Sequence, residues 1–292
     1  MCREKRKLPI GIENFEQIIK DDFYYVDKTG LISELLRNWG MVNLFTRPRR
    51  FGKSLNMSML ELLFSVEGDK SIFDGLKISK DKKLCEEYMG KHPVISISLK
   101  GINAASYEAA FELTVKTIKG AVQKAGFLKM SDKLGEDEKK EYRAILDENM
   151  SEATLFWSLK NLSELLEKHY ETKVILLIDE YDVPLAKAFE NGYYDKMVFL
   201  IRNLLEQTLK TNNSLKFAVM TGCMRISKES IFTGLNNLKV LSITDERFDE
   251  YFGFTDEDVK EMLRYYDRED HYEEMRNWYD GYRFGSTDVY CP

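Results

Sequence analysis

Short apolar runs alternate along the chain with longer stretches in which apolar residues recur every three or four positions. The apolar runs cover residues 41–46, 93–99, 173–179, 215–221 and 238–243. Each run is bounded by polar residues, glycine or proline, which is typical of buried strands. The stretches at 31–39, 54–64, 107–126, 155–169 and 195–209 have the spacing of helices. This alternation predicts an α/β fold in which helices cover both faces of a parallel sheet.

The segment between the first predicted strand and the next predicted helix contains the end of a phosphate-binding P-loop. In Gly52-Lys53-Ser54, backbone N–H groups at the helix N-terminus would surround phosphates, while the lysine contacts them and the serine binds Mg²⁺. The P-loop consensus has glycine five positions before Gly52, where this chain has Arg47. The place of the motif between a strand and a helix nevertheless favours nucleotide binding. The predicted nucleotide-binding residues are Arg49, Arg50, Phe51, Gly52, Lys53, Ser54 and Leu55.

Three arginines lie close together in this loop. Arg47, Arg49 and Arg50 can supplement the loop, because guanidinium groups bind phosphate oxygens in a bidentate manner. The alternative is that one or two of them pair with surface carboxylates, and we expect at least one to point away from the phosphates. Pro48 has no backbone N–H to donate, so the loop differs from a standard P-loop at that position.

Two carboxylates, Asp179 and Glu180, end the fully apolar run that begins at Val174. In open α/β sheets, ligands bind outside the carboxyl ends of the strands. An aspartate at that place can hold Mg²⁺ directly or through water, and the next residue, Glu180, is placed to polarise an attacking water.

The next apolar run, residues 215–221, ends in a residue with a hydroxyl group, Thr221. Thr221 is a candidate for positioning water or sensing the γ-phosphate, although threonine is also common in strands for conformational reasons. Arg225 follows closely and can contact phosphate or hold the loop. We therefore predict Lys53, Glu180 and Thr221 as catalytic residues, with ATP and Mg²⁺ as cofactors. Ser54 and Asp179 are the predicted metal ligands, and the predicted strand order is 5-1-4-3-2.

Composition excludes several classes of protein. The chain has 292 residues, of which 43% are hydrophobic and 32% charged, as in a globular protein. Its net charge of −6 gives no general attraction to nucleic acid or anionic lipid. The apolar runs are far shorter than a membrane span, and the four cysteines are scattered, so we expect a cytoplasmic protein without disulfides or a zinc site.

Negative charge is concentrated near the end of the chain. Residues 245–280 hold 14 Asp and Glu against 5 Lys and Arg, a net charge of −9. Aromatic residues in the same stretch can supply an apolar face, so we predict a P-loop domain at 1–244 and a small helical subdomain at 245–292. A docking face for a basic partner is the alternative, and in either case we expect no strong binding of nucleic acid.

Several motifs together resemble the predicted AAA-ATPase-like family, a group of P-loop proteins related to archaeal ATPases. The motifs that carry the resemblance are Leu8-Pro9-Ile10-Gly11, Tyr25-Val26-Asp27-Lys28-Thr29, Arg47-Pro48-Arg49-Arg50-Phe51-Gly52-Lys53-Ser54, Leu177-Ile178-Asp179-Glu180-Tyr181-Asp182, Thr221-Gly222 with Arg225-Ile226-Ser227, and Trp278-Tyr279-Asp280-Gly281-Tyr282. The resemblance covers essentially the whole chain and implies that Arg47 in place of glycine is a family trait. Similar proteins usually continue into a domain that resembles PD-(D/E)xK nucleases, so we expect this chain to be truncated and predict no nuclease activity for it.

The Tyr25–Thr29 motif has two interpretations. Asp27 precedes a predicted helix at 28–37 and can cap its N-terminus, which is the interpretation we favour. The alternative is that the motif flanks the adenine.

Three functions fit the sequence. The first is an Mg-ATP-dependent ATPase or switch coupled to a partner, to self-association or to a missing domain. The second is a nucleotide-binding scaffold that does not hydrolyse ATP. The third is a small-molecule kinase, which the acidic stretch at 245–280 and the lack of an arginine-rich lid disfavour.

Overall fold

The computed structural model of the protein describes residues 4–224, 231–232, 236–279 and 281–292. Its helices and strands follow the predicted alternation up to the fifth strand. The elements are α1 (Phe15–Lys20), α2 (Gly30–Asn38), β1 (Val42–Thr46), α3 (Lys53–Phe64), α4 (Lys82–Tyr88), β2 (Val94–Ser98), α5 (Tyr107–Lys124), α6 (Glu136–Ile145), α7 (Glu152–Tyr170), β3 (Val174–Asp179), α8 (Val183–Glu190), α9 (Tyr194–Leu209), β4 (Leu215–Gly222), β5 (Leu238–Leu241), β6 (Phe254–Thr255), α10 (Asp256–Tyr265), α11 (Tyr272–Tyr279), β7 (Tyr282–Phe284) and β8 (Thr287–Tyr290).

Strands β1 to β5 form a parallel sheet in the order β2-β3-β4-β1-β5. Read from the other edge this order is 5-1-4-3-2, so the predicted topology is confirmed. Strand β4 lies between β1 and β3, and Thr46 at the end of β1 is in register with Gly222 at the end of β4. The loops that follow these three strands therefore meet at one edge of the sheet.

The three central strands β1, β3 and β4 are buried on both faces, which explains why their segments are mostly apolar. Alternate side chains along a strand point to opposite faces. In β1, Leu44 belongs to the hydrophobic core that contains α7 and α9, whereas Phe45 belongs to the core that contains α2 and α3. Within the described ranges, none of the helices combines the length and the apolar character needed to cross a membrane.

The C-terminal unit, residues 245–292, contains the predicted helices and also a small sheet. Strands β6, β8 and β7 pair antiparallel in that order. This sheet could not be predicted from the sequence, because its strands have only two to four residues, too few to show a period. Phe284 and Val289 of this sheet are buried in the same core as Phe45 and Phe51, so the unit packs against the P-loop side of the main sheet.

The predicted capping role of Asp27 is wrong. Helix α2 begins at Gly30, and the preceding Thr29 makes no side-chain cap. The Asp27 carboxylate instead accepts the backbone N–H of Thr29 at 2.9 Å and its hydroxyl at 2.6 Å, and it also accepts the N–H of Lys77 at 2.7 Å. The aspartate thus closes a turn ahead of the helix. Contact of this motif with adenine stays a prediction.

Candidate functional site

The loop at residues 47–52, here called the phosphate loop, connects β1 to α3. Gly52 precedes the helix with φ +73°, a left-handed conformation that glycine adopts without strain. The first intrahelical hydrogen bond of α3 joins the N–H of Asn56 to the carbonyl of Gly52 at 2.9 Å. The N–H groups of Lys53, Ser54 and Leu55 come before that bond and have no acceptor within the helix. Together with the positive end of the helix dipole, they form an environment that favours anions such as phosphate.

Lys53 is the first residue of α3, and its side chain folds back over the phosphate loop. The residue is only 4% exposed. Its ammonium donates to the carbonyl of Pro48 at 2.9 Å and contacts Cys223 Sγ at 3.4 Å. It also lies 3.5 Å from Glu180 Oε1. A phosphate that binds this ammonium therefore competes with protein groups already in contact with it.

Asp179 connects the phosphate loop side of the site to β4. Its Oδ2 accepts the hydroxyl of Ser54 at 2.7 Å, and its Oδ1 accepts the hydroxyl of Thr221. The Thr221 hydroxyl also accepts the backbone N–H of Glu180 at 3.3 Å. Asp179 and Thr221 are 7% and 1% exposed, so these hydrogen bonds are shielded from water. The structure thus brings together Lys53 and the four predicted residues named in this paragraph.

The donor set at Ser54 and Asp179 fits Mg²⁺ that takes its remaining ligands from a nucleotide. In the part of the chain that the structure describes, no group of three or more His, Cys, Asp and Glu could hold a metal ion. A metal ion held here would have one hydroxyl and one carboxylate as its protein ligands. Mg²⁺ commonly binds through one or two carboxylates, substrate phosphates and waters rather than in an all-protein cage.

Glu180 has an unusual backbone that is fixed by the residues after it. Its φ is +54°, a conformation that costs a residue with a side chain some energy. The backbone N–H of Tyr181 donates to Thr221 O at 3.0 Å, and the Tyr181 hydroxyl donates to Met224 O at 2.7 Å. Asp182, which is 2% exposed, accepts the N–H groups of Cys223 and Met224, both at 2.9 Å. These bonds join the segment after β3 to the segment after β4.

Gly222 is required at the centre of this junction because the Tyr181 ring lies against it. A Cβ on Gly222 would lie 2.5 Å from Tyr181 Cε1 and 2.8 Å from Asp182 Oδ1. Cys223 is the site residue that the sequence analysis missed, and its position directly after β4 was the available signal. Burial raises the pKa of the Cys223 thiol, and the nearby Lys53 acts in the opposite direction.

The three loop arginines have different surroundings. Arg47 is fully buried and points away from Lys53 into the C-terminal unit, which confirms that at least one arginine points away. Arg49 and Arg50 are exposed. None of the three forms an ion pair with a carboxylate of the described residues, so pairing with surface carboxylates is not supported there. Arg225 lies outside the described residues, as does Asp280 of the later motif.

Two other predicted binding residues, Phe51 and Leu55, have side chains that pack into the protein core. The Phe51 side chain is 1% exposed and packs against Tyr282 and Phe284 of the C-terminal unit. Leu55 packs against the core on the α3 side of the sheet. Contact of a nucleotide with the N–H groups of these residues stays a prediction.

Thr221→Val tests the hydrogen bonds that hold Asp179 and Glu180. Valine keeps the shape but leaves a buried carboxylate oxygen and the Glu180 N–H without the hydroxyl, so we expect a loss of about 1–3 kcal/mol in unfolding free energy. Urea unfolding measures it. The matched control is Thr208→Val, since the buried Thr208 hydroxyl donates only to Leu204 O within its own helix. Equal losses in both variants would contradict a special role for Thr221.

Comparisons with known proteins agree with this geometry. The family model of the predicted AAA-ATPases matches residues 9–232. A protein of Azotobacter chroococcum mcd 1, described as an uncharacterized protein in the vnfD 5′ region, is 31% identical over 306 residues, which cover 99% of this chain and 51% of that relative. The chain thus spans about half the length of the curated relative it matches. It belongs to the predicted AAA-ATPase family, an ATPase-like group of nucleotide-binding modules.

Proposed function

We propose that the chain is an Mg-ATP-binding module that hydrolyses ATP slowly or uses ATP as a conformational switch coupled to a partner. The observation that carries the proposal is the hydrogen bond of 2.7 Å between Ser54 and Asp179. It joins the helix after the phosphate loop to the carboxyl end of β3, where P-loop enzymes hold Mg²⁺ and phosphate together.

Binding would use the loop backbone and Lys53. The N–H groups at the start of α3 would surround the phosphates, and the Lys53 ammonium would exchange Pro48 O and Glu180 for phosphate oxygens. The exposed guanidinium groups of Arg49 and Arg50 can add further contacts. Mg²⁺, when held by Ser54 and Asp179, would neutralise charge on the phosphate oxygens.

Hydrolysis would depend on Glu180. Its carboxylate lies at the edge of the site, 3.5 Å from Lys53, and is free to accept a proton from water once Lys53 turns to phosphate. Thr221 holds the Glu180 backbone and Asp179, so it acts by positioning both carboxylates. Most of the rate enhancement would come from this positioning and from charge neutralisation.

A non-hydrolysing scaffold is the second candidate, and the Lys53–Glu180 contact favours it. If the ion pair persists when ATP is bound, Glu180 cannot serve as the base. Turnover by the purified chain separates the two candidates. Protein partners, weak nucleic-acid binding and a cytoplasmic location stay predictions, as does the activity of the longer relatives.

The metal role is tested by titrating the chain and Ser54→Ala with ATP, in Mg²⁺ and in a chelator. Loss of the hydroxyl ligand should weaken ATP binding about tenfold in Mg²⁺, because a hydrogen bond or ligand to a charged group contributes about 1.5 kcal/mol or more. In the chelator the two proteins should bind alike. The matched control is Ser163→Ala, a buried serine whose hydroxyl donates within α7. If Mg²⁺ raised the ATP affinity of Ser54→Ala as much as it raises that of the unchanged chain, Ser54 would not be a metal ligand.

A further inference from the structure

The beginning of the phosphate loop is bonded to the C-terminal unit. Arg47 Nη1 donates to the carbonyl of Leu241 at 2.8 Å, and its Nη2 donates to the carbonyl of Phe248 at 3.2 Å. Nη1 also donates to Thr46 O at 3.0 Å. One fully buried guanidinium thus joins the ends of β1 and β5 to the first residues of the C-terminal unit.

Two aromatic rings of the C-terminal unit enclose the same guanidinium. Arg47 Cζ lies 4.9 Å from the centre of the Phe252 ring and 5.3 Å from that of Phe284. Burial lowers the pKa of Arg47 to about 10, while Asp245 and Asp249 act in the opposite direction. The group is therefore charged at neutral pH. A buried charge is stable only when it is hydrogen-bonded. Movement of the C-terminal unit that removed the Phe248 carbonyl from Arg47 would therefore cost free energy.

The end of the phosphate loop contacts the same unit independently. The Phe51 ring lies 4.9 Å from that of Tyr282 and 5.1 Å from that of Phe284. A Cβ on Gly253 would lie 2.7 Å from Phe51, so the backbone of the unit passes directly over this ring. One turn into α3, Asn56 Nδ2 donates to Tyr251 O at 3.0 Å.

We infer that Arg47 is a positioning residue that couples the conformation of the phosphate loop to docking of the C-terminal unit. Residues 48–50 lie between two anchors, Arg47 and Phe51, and both anchors contact Phe284. Any movement of the unit must then shift the loop that would hold the phosphates. This inference rests on the proposed function in one respect: if the loop binds ATP, we expect ATP binding and docking of the unit to strengthen each other, and linkage requires the two effects to be equal in size.

Hydrogen exchange tests the coupling without nucleotide. The amides on either side of the phosphate loop report its conformation, because Arg47 N–H donates to Gly222 O and Asn56 N–H donates to Gly52 O. Phe284→Ala should speed exchange of these two amides, and Arg47→Lys should speed exchange in β7 and β8. The control is Leu128→Ala, a fully buried leucine in the core on the opposite face of the sheet, which should leave exchange of the two amides unchanged. Unchanged exchange of both amides in Phe284→Ala would overturn the inference, whether or not the chain binds ATP.

Nucleotide binding gives a second test, because Mg-ATP affinity would not change if Arg47 had a purely structural role. Bound Mg-ATP should slow exchange in β7 and β8 of the unchanged chain. Phe284→Ala and Arg47→Lys should each weaken Mg-ATP binding to the folded protein about fivefold or more, within the usual range of coupling between sites. If Arg47→Lys lowered the unfolding midpoint but left ATP affinity unchanged, the role of Arg47 would be structural only, and the inference would be overturned.

Arg47→Gly sharpens the test because it restores the glycine of the P-loop consensus. Coupling predicts weaker Mg-ATP binding in this variant, whereas a loop that is independent of the C-terminal unit would bind equally or more tightly. If Arg47→Gly does not fold, Phe284→Ala decides the question, since it leaves the loop sequence intact. Coupled exchange in the absence of nucleotide, combined with no ATP binding by the unchanged chain, would contradict the proposed function but not the coupling.

Discussion

Glu180→Gln is expected to lower ATP turnover about 100- to 10,000-fold, the usual contribution of a general base. Glutamine has the same shape as glutamate but cannot accept a proton from water. Affinity for Mg-ATP should stay the same or increase, because the change removes a carboxylate 3.5 Å from the Lys53 ammonium. Phosphate release at saturating ATP measures turnover, and calorimetry measures affinity.

The matched control for this change is Glu171→Gln. Glu171 lies before β3, at the opposite end of the strand from Glu180, and its carboxylate pairs with Lys133 on the surface. This variant should turn ATP over at the unchanged rate. Equal turnover by Glu180→Gln and the unchanged chain would remove Glu180 from the mechanism, and a loss of affinity alone would make it a binding residue.

Lys53→Ala is expected to weaken Mg-ATP binding about 10- to 100-fold, because hydrogen bonds to charged groups contribute about 1.5–3 kcal/mol each. Lys53 is 4% exposed, and the phosphate loop contains no second lysine that could replace it. The fluorescence anisotropy of a labelled ATP measures the change.

Since Lys53 is buried, a folding control accompanies this variant. Lys53→Met keeps most of the apolar stem without the charge and should lose affinity to the same extent. Lys91→Ala is the surface control, because the exposed Lys91 precedes β2 at the end of the sheet away from the site. Full ATP affinity in Lys53→Met, with urea unfolding as for the unchanged chain, would contradict the role of the ammonium.

The sheet and half of the site could be predicted because each depends on local sequence. Strand β3 is buried on both faces, so its first five residues form an unbroken apolar run that no surface helix would show. Ligand sites lie at the carboxyl ends of parallel strands, so Asp179 and Thr221 could be assigned to one edge from their places at strand ends.

The contacts of the Arg47 side chain could not be predicted from the loop sequence alone. An arginine beside Gly52-Lys53-Ser54 suggests a contact with phosphate, yet its partners are carbonyls and rings about 200 residues further along the chain, such as Phe248. The strands that supply Phe284 are too short to be recognised in the sequence. Cys223 was missed because its contacts with Lys53 and Glu180 depend on how the segments after β3 and β4 meet.

Calorimetric titration of the unchanged chain with ATP tests whether Mg-ATP binds at the junction of the phosphate loop and Asp179. We expect saturable binding of one ATP per chain in Mg²⁺, with an affinity that falls on chelation of the metal. The chelated sample serves as the control, because the N–H groups and Lys53 remain available in it. No heat of binding at millimolar ATP, together with an unchanged unfolding midpoint in the presence of Mg-ATP, would show that this junction does not bind Mg-ATP.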